Sequence, residues 1–230
     1  LGDEREKAVT QAKIADVLEA RGQLDEALRI HREELLPVFG RLGDVRARAV
    51  TQGRIAGVLE ARGQLDEGLR IRREEQLPVF ERLGDVRERA LTQARIADVL
   101  EARGQLGEGL RIRREELLPV FERLGDVRSV AIMQGGIADV LEAQGQCDEA
   151  LRIRQDEELP VYERLGDVRA RAVVRWKIAL QLLCRNDSES LAEARQLLEA
   201  AYADLSRMGL PEAQLLADEM RERGLTVPSI

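Results

Sequence analysis

The chain has 230 residues, with 36 Lys and Arg against 43 Asp and Glu, a net charge of −7, and as aromatics only three Phe, two Tyr and one Trp. A nucleic-acid binder needs a clustered cationic surface, which a chain of pI about 5.1 does not offer. The single histidine, His31, and two cysteines, Cys147 and Cys184, are too few for a zinc cluster, a histidine triad or a disulfide framework, and no run is long and apolar enough to span a membrane.

In chain order the first signal is a repeat. Leu-Gly-Asp begins at Leu1, Leu42, Leu83, Leu124 and Leu165, a constant spacing of 41 residues. Residues 42–82 and 83–123 differ only at Ala47/Glu88, Val50/Leu91, Gly53/Ala94, Gly57/Asp98, Asp66/Gly107 and Gln76/Leu117. The copies are 1–41, 42–82, 83–123, 124–164 and 165–208, and 209–230 forms a terminal segment.

Each copy predicts two helices, here called A and B. In 44–82, Asp44 is an N-cap, and Asp85-Val86-Arg87-Glu88 of the next copy has capping-box spacing. Val50, Ile55, Ala56, Val58 and Leu59 follow helical spacing along A. Gly63 ends A as a left-handed C-cap, and the acids of Leu65-Asp66-Glu67 suit the positive end of B. Leu65, Leu69, Leu77, Val79 and Phe80 make the apolar face of B, which Gly84 closes. Pro37, Pro78, Pro119 and Pro160 precede a further apolar pair, so each should kink B rather than end it. No strand signal appears. One hairpin cannot bury its stripe alone, so the copies should stack into a solenoid.

The pattern Ile55-Ala56-x-x-Leu59-x-x-x-Gly63-x-x-x-x-Gly68-Leu69, and Ile14, Ala15, Leu18, Gly22 and Ala27-Leu28 in the first copy, resembles the tetratricopeptide repeat. The likeness runs from residue 1 to about 208. At 41 residues the unit is longer than the family's usual one, and it is similar to the long repeats of kinesin light chains and of bacterial signalling ATPases. The resemblance implies an all-α, right-handed α-solenoid of five helix hairpins with a C-terminal capping helix. It implies a protein-interaction scaffold or sensor, cytoplasmic, with neither catalysis, cofactor nor metal.

The family binds along the A helices. Carried over, its groove positions are Val9/Val50/Leu91/Ile132/Val173, Ala12/Gly53/Ala94/Gly135/Trp176, Asp16/Gly57/Asp98/Asp139/Leu180 and Glu19/Glu60/Glu101/Glu142/Leu183. The expected partner-binding residues are thus Asp16, Glu19, Gly57, Glu60, Asp98, Glu101, Gly135, Asp139, Glu142, Trp176, Leu180 and Leu183. Small residues backed by carboxylates, ending in bulky apolar ones, imply a basic peptide or protein partner with an apolar anchor. Gly135 should leave room for the ligand backbone. The bland alternative is that the carboxylates are a solvated face and Trp176 packs at the stack's end. The Lys and Asn of the chaperone-tail clamp are absent, Asp and Gly standing there instead. Self-association of near-identical copies is the other expectation.

Arg72, Arg113 and Arg154, with His31 in the first copy, fall in the middle of the apolar stripe of B. Buried guanidinium groups need partners. The choices are snorkelling outward, or pairing with Glu75, Glu116 and Glu157 or with Gln52, Gln93 and Gln134. Cys147 replaces Leu24, Leu65 and Leu106 and reads as a small buried hydrophobe, and Cys184 replaces an Ala of helix A. No glycine-rich phosphate loop exists, and an open groove does not shift carboxylate pKa values as catalysis requires. The start at Leu1 inside a junction reads as a piece with more chain upstream. An insertion at Asn186-Asp187-Ser188-Glu189-Ser190, and a helix over about 211–223 with Ala213, Leu216, Ala217 and Met220 on one face, read as the capped native end.

Overall fold

A computed structural model describes residues 2–185 and 187–228. Leu1, the Asn186 that opens the expected insertion, and the end of the tail at Ser229 and Ile230 lie outside the described residues. Among the described residues all regular structure is helical: α1 (Gly2–Ala20), α2 (24–41), α3 (Val45–Ala61), α4 (65–83), α5 (Val86–Ala102), α6 (106–123), α7 (Val127–Ala143), α8 (147–165), α9 (Val168–Arg185), α10 (Ser188–Arg207) and α11 (Glu212–Glu222). The described residues form two compact bodies, divided between Ile112 and Arg113 inside α6.

Local chemistry sets the helix ends. Asp44, Asp85, Asp126 and Asp167 cap α3, α5, α7 and α9, accepting from the backbone N–H of Ala47 (2.9 Å), Glu88 (3.1 Å), Ser129 (3.0 Å) and Ala170 (3.0 Å). The reciprocal half of the expected box is absent, because the Glu88 carboxylate accepts instead from Arg46 at 3.1 Å. At the A–B turn Gly63 takes φ +77°, and Gln64 N–H bonds back to the Leu59 carbonyl at 2.8 Å.

The prolines act through a device the sequence did not show. Each of α2, α4, α6 and α8 contains a wide π-helical turn, at Ile30–Leu35, Ile71–Gln76, Ile112–Leu117 and Arg154–Glu158. Leu36, Leu77 and Leu159, each just before a proline, donate to the carbonyls of His31, Arg72 and Arg154, five residues back. A proline has no N–H, and its ring would press on the carbonyl four residues earlier. The wide turn relieves that clash, and the helix continues.

In the first body, Ala8, Ala15, Ile30, Leu35 and Phe39 make one core cluster, and Ala27, Leu28, Ile55, Ala56, Val58, Leu59 and Ile71 a second. In the second body α9 and α10 pack together around Val174, Ile178, Leu182, Leu198 and Leu205, and α11 adds Leu216 and Met220 to that core. No helix among the described residues is long and apolar enough to cross a membrane.

Candidate functional site

The apolar stripes of α2, α4, α6 and α8 are interrupted by one polar row, and the structure buries it. His31, Arg72, Arg113 and Arg154 are 1%, 5%, 4% and 1% exposed. Burial decides against snorkelling, but the partners differ from those expected. Arg72 holds Glu60 of α3 in a two-point pair, Nε to Oε1 at 2.7 Å and Nη2 to Oε2 at 2.8 Å, and its Nη1 donates to Gln76 at 3.3 Å. His31 Nε2 pairs with Glu19 at 2.8 Å. Arg154 Nη2 reaches both Asp139 (2.6 Å) and Glu142 (2.7 Å). Glu75 and Glu157 take instead the amides of Gln52 and Gln134, each at 2.8 Å. The second and fourth hairpins are therefore laced by two kinds of rung, one charged and one amide to carboxylate.

The second and fourth copies differ at one residue of helix B beside the charged rung. Gly68 is bare where Glu60 lies over it, since a Cβ there would come within 2.7 Å of Glu60 Cγ. In the fourth copy the methyl of buried Ala150 stands at that position. Glu60 is tucked in with its side chain 17% exposed, whereas Glu142 stays 43% exposed. Arg154 correspondingly leaves Nε and Nη1 buried without partners. Lys177 also claims Asp139 (2.7 Å); burial opposes its ionisation, but Lys177 and Arg154 hold that carboxyl below its ordinary value.

The first body carries an open cleft of about 690 Å³. Its lining includes the expected Val50, Leu91, Gly53, Gly57, Glu19 and Glu60, together with Arg46, Arg54, Arg72, Arg95, Gln76, Glu88 and Thr92. It is not the open acidic surface expected. Glu19 and Glu60 serve His31 and Arg72, Glu88 serves Arg46, Asp16 pairs with Arg54 (3.4 Å), and Asp98 accepts from Arg95 (3.3 Å). Glu101, also half-buried, lies over Gly109 as Glu60 lies over Gly68.

Three more expectations are corrected. Gly135 leaves no room for a ligand backbone, because the Glu158 carboxyl fills it: a Cβ there would meet Oε1 at 2.5 Å. Trp176 and Leu183 pack against the core of the second body, so Trp176 is not a free anchor, while Leu180 is half-buried. Cys147 is exposed, not buried, because the first residue of helix B sits beside the turn. Cys184 is exposed as well. Among the described residues no group of His, Cys, Asp and Glu has the arrangement of a metal site.

No family model and no curated protein matches the chain. Solved structures do. A crystal structure of the nearly identical TPR-like repeats of a protein assigned as a kinesin light chain in Podosopora anserina superposes with a TM-score of 0.64 at 18% identity, covering 88% of this chain and 96% of that one. A single-substitution variant of the same protein gives 0.66 over the same coverage, also at 18%. BtubC (BKLC) from P. vanneervenii gives 0.58 at 15% identity, covering 97% of this chain and 94% of that one. These likenesses show the fold, an all-α array of tetratricopeptide-like hairpins.

Proposed function

We propose that the chain is a protein-interaction module that holds an extended segment of a partner protein in the cleft formed by α1, α3, α4 and α5. The observation that carries this reading is the cleft itself, about 690 Å³ and floored at Gly53 and Gly57 on the inward face of α3. Its rim alternates Arg46, Arg54 and Arg95 with acids that already bind them. Such a surface offers directional hydrogen bonds rather than a field of one sign, so partner choice should rest on side-chain fit and be only weakly screened by salt. A basic preference is not built into this cleft.

Peptides selected from a random display library on the immobilised chain test the reading. Other copies carry Asp16, Asp98 and Asp139 at the Gly57 position, so α3 tolerates a side chain there. Gly57→Phe should weaken a selected peptide by at least about tenfold, roughly 1.4 kcal/mol, without lowering the melting temperature. Unchanged affinity would place binding on another face.

A second reading, self-association, draws on Val9, Ile14 and Val17, which α1 leaves about half exposed. It requires a molecular mass in sedimentation equilibrium that rises with concentration.

A further inference from the structure

Position 158 carries an acid where the first three copies carry Leu35, Gln76 and Leu117. Glu158 is 6% exposed, and its Oε2 is buried with no hydrogen-bond partner. It lines a solvent-open cavity of about 250 Å³ in the second body, together with Tyr162, Val173, Val174, Arg128, Asp167 and Arg169. Both arginines are engaged, Arg128 by Asp167 and Arg169 by Glu212. The cations that act electrostatically on Glu158, Lys177 and Arg154, bind Asp139. Burial, helped by Asp139, pushes the Glu158 carboxyl up to about 7 against the pull of Lys177 and Arg154. The cavity thus has one lining group whose bonding is unmet, and that group is an acid.

A buried carboxylate is stabilised chiefly by a cation that hydrogen-bonds to it. Pockets for whole small molecules run to about 300–1,000 Å³, so a smaller one suits a single side chain. Val173, Val174 and the Tyr162 ring offer an apolar wall to a methylene stem whose charged tip reaches the acid. Asp167 is already held by Arg128 and caps α9. On Glu158 the buried oxygen without a donor is Oε2, which a compact ammonium can meet alone, whereas a planar guanidinium is best used on two oxygens at once. We propose that this cavity takes the ammonium tip of a lysine side chain from a partner protein, with Glu158 as its counter-charge. The site lies wholly in the second body and stands or falls separately from the cleft of the first.

The chain has two tyrosines, Tyr162 and Tyr202, so 3-fluorotyrosine labelling gives two fluorine resonances. Titration with Nα-acetyl-lysine methylamide should shift the Tyr162 resonance saturably, with a Kd in the millimolar range, and leave that of Tyr202 in place. The norleucine and arginine counterparts should bind at least about tenfold more weakly. Glu158→Gln should weaken the lysine compound as much, and because it recreates the Gly53 and Gln76 pairing of the second copy, it should stay folded. A Tyr162 shift that does not saturate, or that is equal for norleucine or in Glu158→Gln, overturns the proposal.

Discussion

At position 158 the chain replaces a leucine or glutamine by a carboxyl, buries it, and gives it no donor. Its proton is held more tightly in the folded chain, to about 7, than at the ordinary value of 4.5. The folded state therefore binds more protons between those two values. The contribution of this group is fully present below pH 4.5 and is lost as pH rises through about 7. The charges around it are Asp139, Lys177 and Arg154, with Arg128, Asp167 and Arg169 lining the same cavity. A shift of this size corresponds to on the order of 3 kcal/mol. Urea denaturation should show Glu158→Gln gaining on the parent chain steadily across that window, and a difference that stays flat with pH would contradict the assignment. None of this was legible in the sequence, where Glu158 was one carboxylate among 43 acids and only its register with Leu35, Gln76 and Leu117 marked it.

Pairs of helices show how far sequence carries. The caps, the left-handed turn glycines and the apolar stripes were all readable, because each depends on residues within one or two turns of one another. The cross-hairpin rungs were not, because Glu60 and Arg72 are brought together by the turn at Gly63 and by the π turn that re-aims helix B. A size rule across the hairpin was present but unread. Copies with Ala12 or Ala94 in helix A carry Leu35 or Leu117 in helix B, whereas Gly53 and Gly135 go with the longer Gln76 and Glu158. A Cβ at Gly53 would collide with the Gln76 amide, while one at Gly57 would meet Arg72 Nη2 at an ordinary 3.7 Å. Gly57→Ala should therefore stabilise by about 0.5–1 kcal/mol through helix propensity. Gly53→Ala should destabilise by about 1–2 kcal/mol by overpacking, and adding Gln76→Leu should recover most of that loss. Denaturation of the four chains checks this, and equal effects at the two glycines would remove the size rule.

At the scale of the molecule, a chain of near-copies derives its stability from each hairpin and its neighbours. The second body ends on α9, α10 and α11, which cover Leu151, Val161 and Tyr162 of the fourth copy. Truncation after Arg164 should uncover those apolar side chains, and light scattering should detect aggregates at concentrations where the whole chain is monodisperse. A truncated chain that stayed monodisperse and equally stable would deny α9–α11 a capping role. The groove face shows the remaining gap between sequence and structure. The acids read as an open surface are already paired, Glu60 and Glu142 with the buried Arg72 and Arg154 of the paired helix, and Asp16 and Asp98 with the exposed Arg54 and Arg95. The double-mutant cycle Glu60→Gln, Arg72→Met tests that most directly, by chemical denaturation of the parent, both single variants and the double variant. Breaking the two-point pair from either side should cost about 3–5 kcal/mol, the double variant should recover much of it, and the coupling should be about 2–3 kcal/mol. A coupling below about 0.5 kcal/mol, the range of a solvated surface pair, would contradict the account and return Glu60 to the groove as a free acid.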